Sequence, residues 1–417
     1  MNKHTLLIVP LFAALLAACT TPTIAPSTET TSTPVVMDTA IVQPTAVPLQ
    51  PSLEPSPVPT IQVSLSSEPV QIYQLDMVTN LIGWGLGRFS GESQKVLRTE
   101  DGAKTWTDMK LPGDTQTDAG SFLLAGFFLN DQTAWVSPYM TNLPPLGEQT
   151  IWKTSDGGLN WNGSVLKTDG LQEAFSISHI YFVDELNGWL MAHVGAGMNH
   201  DYIVIYHTID GGTSWKSVVD PISNDAGIQS CQKTGMVFSD AQSGWLTGSC
   251  NGVAPGVLFF HTLDAGKTWS PVELPSPQGL PGLFQDPNAV CGSQFPKTDG
   301  QDIKVEVVCK LMNASLDQPI TVLNTSIDGG VSWMQQEIPG GILNYLPDNG
   351  LLILSEKSAL SSDGGSSWID LPQAPNGNSA RFIDGNTGWI LSTAGTEIYQ
   401  SNDGGSTWER IVPQMAE

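Results

Sequence analysis

Arginine is nearly absent from this chain: four occur in 417 residues (Arg88, Arg98, Arg381 and Arg410), and Lys+Arg total 17 against 41 Asp+Glu, a formal net charge of −24. A surface so poor in cations cannot gather phosphate-rich partners, which excludes a basic nucleic-acid binder. Charged residues of both signs make up only 14% of the chain, so surface polarity must come largely from Ser, Thr, Asn, Gln and Gly. Glycine and tryptophan are missing before Gly83 and Trp84, so all 42 Gly and all 13 Trp lie beyond that point. The apolar run at 6–16 is too short to span a bilayer. No Gly-x-Ser-x-Gly segment occurs, which removes support for a serine hydrolase with that nucleophile turn.

What is present at the N-terminus is an address. Lys3 precedes the apolar run, which ends in Leu16-Ala17-Ala18-Cys19. These residues resemble a bacterial lipobox, which implies removal of a signal peptide at 1–18 and lipid attachment to Cys19, with two or three acyl chains giving stable anchoring. The body is then expected to be extracytoplasmic. Residues 19–67 are rich in Thr, Ser and Pro and lack aromatics and basic residues. Such a segment buries too little to fold and forms a semi-rigid tether, reaching about 3.1 Å per residue or on the order of 100 Å in all.

Self-similarity organises the rest. An Asp, small residues and a Trp five positions on recur seven times, at Asp101/Trp106, Asp156/Trp161, Asp210/Trp215, Asp264/Trp269, Asp328/Trp333, Asp363/Trp368 and Asp403/Trp408. The Asp accepts backbone N–H groups of a hairpin turn, and the glycines supply its positive φ. The box Ser/Thr and Trp are expected to begin the next strand, the Trp carrying a large apolar area to the seam between units while its indole N–H reaches a turn carbonyl. A second signature places a large residue seven positions before another Trp: Phe128/Trp135, Phe182/Trp189, Phe238/Trp245, Phe382/Trp389, and Met77 before Trp84. Asn130, Asp184, Asp240 and Asp384 follow the aromatic by two. Together the signatures predict four strands per unit, and at 68–417 a single seven-bladed β-propeller of all-β class. The chain starts on a first strand and finishes on a fourth. The ring therefore closes either by blade seven meeting blade one edge to edge or through an added strand at 61–65.

The boxes resemble the Asp-box (BNR) repeats of sialidases, sortilin-type receptors, xyloglucanases and the photosystem II assembly factor propellers. The combined pattern is most similar to the last of these, over essentially the whole body. That resemblance implies a scaffold acting on newly made membrane protein. It also implies an arginine-rich client patch, which four scattered arginines do not supply, so no binding residue carries over.

Four further cysteines allow three pairings. Cys231 and Cys250 flank one first-to-second-strand turn symmetrically, and Cys291 and Cys309 another, so these two disulfides are expected. Loop length varies on one face only. The second-to-third-strand loops at 138–149, 192–201, 250–256 and 311–319 are enlarged, as are the inter-blade connections at 217–232 and 271–288, and both classes emerge on the same side. Binding concentrates on variable loops of a rigid scaffold, which makes this face the candidate site, with Tyr139, His193, His200 and Tyr202 as its candidate residues.

Catalytic chemistry is harder to assemble. A sialidase needs three converging arginines, and xyloglucanases of this repeat type need two propellers. Gly266-Lys267-Thr268 mimics a phosphate loop but lies inside a box. His193, His200 and Asp201 share a loop without a zinc spacing, and one carboxylate per box is too few oxygens for calcium. The expectation is a non-catalytic, lipid-anchored monomer without metal or cofactor that binds a protein partner or membrane-protein complex. The alternative is a cell-surface glycan-binding or glycan-cleaving propeller.

Overall fold

The structure, a computed structural model, describes residues 65–89, 92–112, 123–139, 148–167, 175–250, 256–312 and 319–416. The expected signal, Cys19 and nearly all of the tether lie outside the described residues, as do the middles of the enlarged loops at 138–149, 250–256 and 311–319.

Seven four-stranded antiparallel blades follow one another in sequence order. Their first strands are Gln71–Met77, Leu123–Phe128, Ser176–Phe182, Gln232–Phe238, Ala289–Ser293, Ile342–Tyr345 and Ser379–Phe382. A single ladder pair, Ser249 with Gly292, joins blades four and five into one sheet. The core is distributed. Seven apolar clusters fill the seven seams between neighbouring blades, including the one between blades seven and one.

The box turns form as their residue types dictate. In blade three the Thr208 hydroxyl donates to Asp210 Oδ1 at 2.8 Å and accepts from Gly212 N at 2.9 Å. Asp210 in turn accepts the Ser214 backbone N–H and hydroxyl at 2.9 and 2.6 Å. Gly211 and Gly212 take φ of 70° and 85°. The equivalent serine hydroxyls, then backbone N–H groups, hold the Asp328 and Asp363 carboxyls down to about 2. With both oxygens satisfied by their own turns, these carboxylates cap rather than bind metal.

The second signature is an inter-blade joint. Phe182 pairs across its hairpin with Gly188, and Phe238 with Gly244. A Cβ on Gly244 would lie 2.5 Å from the Phe238 ring, so glycine lets the ring lie across the neighbouring strand. There it stacks on the Trp of the preceding blade: Trp135 on Phe182 and Trp189 on Phe238, each at 3.6 Å. The Trp135 and Trp189 indoles reach onward to the box carbonyls of Gly211 and Ala265 in the next blade, at 2.8 and 3.0 Å. Where blade two carries Ala134 opposite Phe128, the Trp84–Phe128 stack opens to 5.3 Å, because a methyl group occupies the ring's place. His207 and His261 lie flat on Trp189 and Trp245 at 4.7 Å.

Sequence reading and structure differ at the box tryptophans. Only Trp106 lies within a strand, Thr105–Asp108. Trp161, Trp215, Trp269, Trp333, Trp368 and Trp408 each stand one residue ahead of theirs, which begin at Asn162, Lys216, Ser270, Met334, Ile369 and Glu409. The indole explains the offset where it folds back over its own turn: Trp269, Trp333 and Trp408 donate to the carbonyls of Gly266, Gly330 and Gly405 at 3.0, 3.1 and 2.9 Å. Trp106 makes the same bond to Ala103 at 3.0 Å, but Met415 pairs beside it and extends the ladder by a residue. The carbonyl is not reached in every blade. Trp215 donates instead to the Ser164 hydroxyl of the preceding blade at 3.3 Å, and the buried indole N–H groups of Trp161 and Trp368 have no partner. Trp161 and Trp269 are buried in their seams, whereas Trp215, Trp333, Trp368 and Trp408 are half-buried against theirs.

Three further expectations are corrected. The ring closes through added strands rather than edge to edge, and the described N-terminal one begins at Leu65, the last residue of the 61–65 alternative, residues 61–64 lying outside the described residues. Gln414–Ala416 leaves blade seven and adds in parallel to Thr105–Asp108, the outer strand of blade one, and Leu65–Pro69 pairs antiparallel with it. The strand over 65–69 also begins ahead of the expected boundary at 68. The segment 192–201 is largely strand: Gly188–Gly197 and His200–Thr208 pair almost to their tips around a two-residue turn. The connection at 271–288 is no free loop, since Leu274, Leu283 and Phe284 are buried in the seam between blades four and five.

Blade six departs most. Leu351 stands at the second Trp position, and only four buried residues fill each of its seams. Glu306 pairs with Leu323 and faces the first of these seams, where burial pushes its carboxyl up to about 7.

Two outcomes follow from these joints. Phe238→Ala, which removes both the stack and its burial, is expected to cost about 3–5 kcal/mol in denaturant unfolding. Glu306→Gln is expected to be more stable than the parent above pH 7. Its folded carboxyl titrates above the unfolded 4.5, so the penalty it removes exists only where Glu306 is ionised, and the advantage should vanish as pH falls below about 4.5. Thermal midpoints of the pair across pH 4–9 check this.

Candidate functional site

The long hairpin of blade three projects on the face opposite the boxes, with Met198 fully exposed at its tip. The connection leaving blade three folds back along it. Gln229 is buried and imitates a peptide group, accepting from Ile203 N at 2.7 Å and donating to Ile203 O at 3.0 Å. Backbone bonds from Asp201 N to Gln229 O and from Cys231 N to Asn199 O continue the pairing. The hairpin is thereby clamped rather than left swinging.

Asp201 is the hub of this clamp. Its Oδ1 lies 2.7 Å from His193 Nδ1, and its Oδ2 accepts the Lys233 backbone N–H at 3.0 Å. Burial works against the carboxylate, but the His193 contact and the Lys233 N–H outweigh it, and Asp201 titrates below the ordinary aspartate value. An ionised carboxylate only accepts, so His193 carries its proton on Nδ1 and leaves Nε2 as the free ring position. Lys233 is buried, its ammonium donating to the Ser230 and Cys231 carbonyls at 2.8 and 2.6 Å, and burial lowers it to about 8.

The disulfide Cys231–Cys250 closes the far side, and Cys291–Cys309 ties the first and second strands of blade five. Cys231 sits at φ 61°, a left-handed conformation held by the clamp on either side of it. Between hairpin and disulfide lies a concavity of about 430 Å³ lined by His193, Met198, His200, Asp201, Cys231 and Cys250, among others.

Three of the four candidate residues thus meet on one hairpin. His200 stacks on Tyr202 at 5.7 Å, and His193 is bonded to Asp201. Tyr202 and Tyr139 are half-buried against the seam between blades two and three, so both pack as much as they present. Asp201, Gln229 and Lys233 were not singled out as a clamp, because nothing local in sequence ties position 201 to position 233. Among the described residues no group of three His, Cys, Asp or Glu side chains could hold a metal. His179 is half-buried with its Nδ1 shut off from solvent; burial and then His193 push it down to about 4, so it is neutral.

The arginines form no patch. Arg98 lies over the Trp84 ring at 5.0 Å, Arg88 over Tyr73 at 5.3 Å, and Arg410 is bonded to Glu397. The face opposite the boxes therefore offers hydrogen-bonding side chains around an exposed methionine, a surface suited to recognition.

No protein-family model matches the chain. It is 26% identical over 319 residues to the photosystem II assembly lipoprotein Ycf48 of Synechococcus sp. (strain CC9902), covering 74% of this chain and 80% of that protein. A stretch of 77 residues is 37% identical to the vacuolar protein sorting/targeting protein 10 of Chaetomium globosum, covering 16% of this chain and 5% of that much longer protein. Among solved structures, YCF48 bound to D1 peptide superposes with a TM-score of 0.52 at 15% identity, covering 82% of this chain and 94% of that one. Glycoside hydrolases and polysaccharide lyases resemble it at lower scores, and likenesses of that degree show no more than the fold.

Asp201→Asn keeps an acceptor for Lys233 N–H but loses the charged partner of His193. It is expected to cost about 1.5–3 kcal/mol and to remove the exchange protection of the His193 Nδ1 proton, read by imidazole NMR.

Proposed function

We propose that this chain, a Ycf48-like β-propeller, is an extracytoplasmic, lipid-anchored and non-catalytic scaffold that binds a protein partner through the face carrying the blade-three hairpin. The observation that carries the reading is the clamp. Gln229, Asp201, Lys233 and Cys231–Cys250 together hold an exposed hairpin in one shape, which lowers the ordering cost of binding. Two disulfides support an oxidising compartment. The lipobox-like segment around Cys19 supports the anchor, as does the likeness to the Synechococcus relative, an assembly lipoprotein. A solved relative holds a peptide, which supports the partner class without naming this chain's partner. The tether at 19–67 would stand the propeller off the membrane surface.

The test is crosslinked capture of membrane proteins by the full chain, compared with Met198→Glu and His200→Ala. One partner should be recovered with the parent and reduced at least tenfold with Met198→Glu, while the fold is unchanged by circular dichroism. Turnover of fluorogenic sialosides or β-glucans, lost on mutating a carboxylate of this face, would sink the scaffold reading.

A further inference from the structure

The axial end of the ring on the opposite face, where the first-to-second-strand turns converge, has a different chemistry. The first strand of blade five is broken. Ala289–Ser293 and Lys297–Asp299 both pair with Asp302–Leu311, and residues 294–296 bulge between them. The bulge carries Phe295 onto the inner strands of blades three and four, where it stacks on His179 at 5.4 Å and lies over Gly235. The chain then turns Lys297 and Asp299 into a cavity of about 440 Å³, which Asp76, Lys304, Tyr345 and Arg381 also line. Blades one, two, five, six and seven contribute to its wall.

Three of the chain's 17 cations meet here. Among the described residues none of the three is in a salt bridge, and Arg381 makes only a 3.5 Å bond to the Met77 carbonyl. Lys297 has solvent at its surface yet is walled by protein. That enclosure, and then the Arg381 charge, hold its ammonium below the ordinary value, and burial does the same to Lys304. The rim is unusual too. In blades two, three, four and seven an Asn or Asp side chain caps the first-to-second-strand turn. Blade six instead places Asp348 and Asn349 consecutively at φ 52° and 63°, a less favourable backbone for residues other than glycine.

We propose that this axial mouth binds a small monocarboxylate bearing hydroxyl or amine donors, its carboxylate among Lys297, Lys304 and Arg381 and its donors toward Asp76 and Asp299. The cavity volume is that of a small-molecule site, concave with few convergent polar groups. Three cations gathered without a salt bridge among the described residues attract an anion, even though Asp299 and Asp302 already draw on the ammoniums of Lys297 and Lys304. The three aspartates in the same wall (Asp76, Asp299 and Asp348) select against a phosphate dianion and give a hydroxy- or amino-carboxylate something to donate to.

The experiment is calorimetric titration and thermal shift of the full chain with D-gluconate, L-lactate and L-serine, against inorganic phosphate and sodium chloride at matched ionic strength. Saturable binding of at least one of the three carboxylates is expected, weakened at least tenfold in Lys297→Gln and in Arg381→Gln and unchanged in Met198→Glu. Among the described residues the Lys297 side chain makes no hydrogen bond that its loss would break, so that variant decides the matter if Arg381→Gln fails to fold. An equal response to sodium chloride, tighter binding of phosphate, absence of carboxylate binding, or binding indifferent to Lys297→Gln would each overturn the proposal.

Discussion

The tightest seams of this propeller rest on one contact, a phenylalanine ring of one blade lying flat on a tryptophan of the blade before it, as Phe182 does on Trp135 and Phe238 on Trp189. Its closest form uses a glycine, since the ring occupies the space where a Cβ would stand at Gly188 or Gly244. In these two seams the buried tryptophan indole also finds a carbonyl, which the next blade's box turn provides at Gly211 and Ala265. The aromatic, the Gly-Trp and the box are thus three parts of a single joint made between units. A blade made alone would expose a large apolar face on each side, and stacking buries both.

This explains how much could be read from the chain. The joint's parts recur at fixed short spacings, so the blades, their number and the role of the box aspartates were visible without coordinates. The disulfide pairings were visible for the same reason, because each spans one hairpin and register places its cysteines opposite. The box tryptophans mark the limit of such reading. Their spacing locates the turn, but whether the strand starts at the Trp or one residue later depends on a neighbouring strand, as Met415 beside Trp106 shows. Legibility fails where an interaction bridges distant positions by geometry alone. Nothing local announces that Gln229 will imitate a peptide beside Ile203, or that Lys297 and Arg381 will share a cavity. It fails as well where a strand has no partner signature, as in blade six, whose Leu351 replaces the tryptophan and whose Pro347-Asp348-Asn349-Gly350 turn has no aromatic-x-Asp.

The two faces differ accordingly. On the hairpin face, rigidity is built by redundancy: backbone pairing, a buried amide, a carboxylate and a disulfide restrain the same ten or so residues. At the axial mouth the three cations form no salt bridge among the described residues. The first arrangement presents a fixed shape, and the second leaves unmet chemical demand. They are separated by the Phe295 bulge, so a ligand at one has no shared side chain through which to crowd the other.

The closure of the ring has a consequence in time. Leu65–Pro69 and Gln414–Ala416 pair across nearly the whole described chain, and both complete the sheet of blade one. Six seams join neighbours in sequence and can form as the units appear. The seventh must wait for its last strand, against the largest loop-closure entropy in the molecule. Until then an arc of blades exposes Trp389, Ile398 and Trp106 at its two ends, an apolar pair of edges that a second arc could satisfy as readily as its own partner. The slow step of folding and the opening for domain-swapped assembly are therefore the same event.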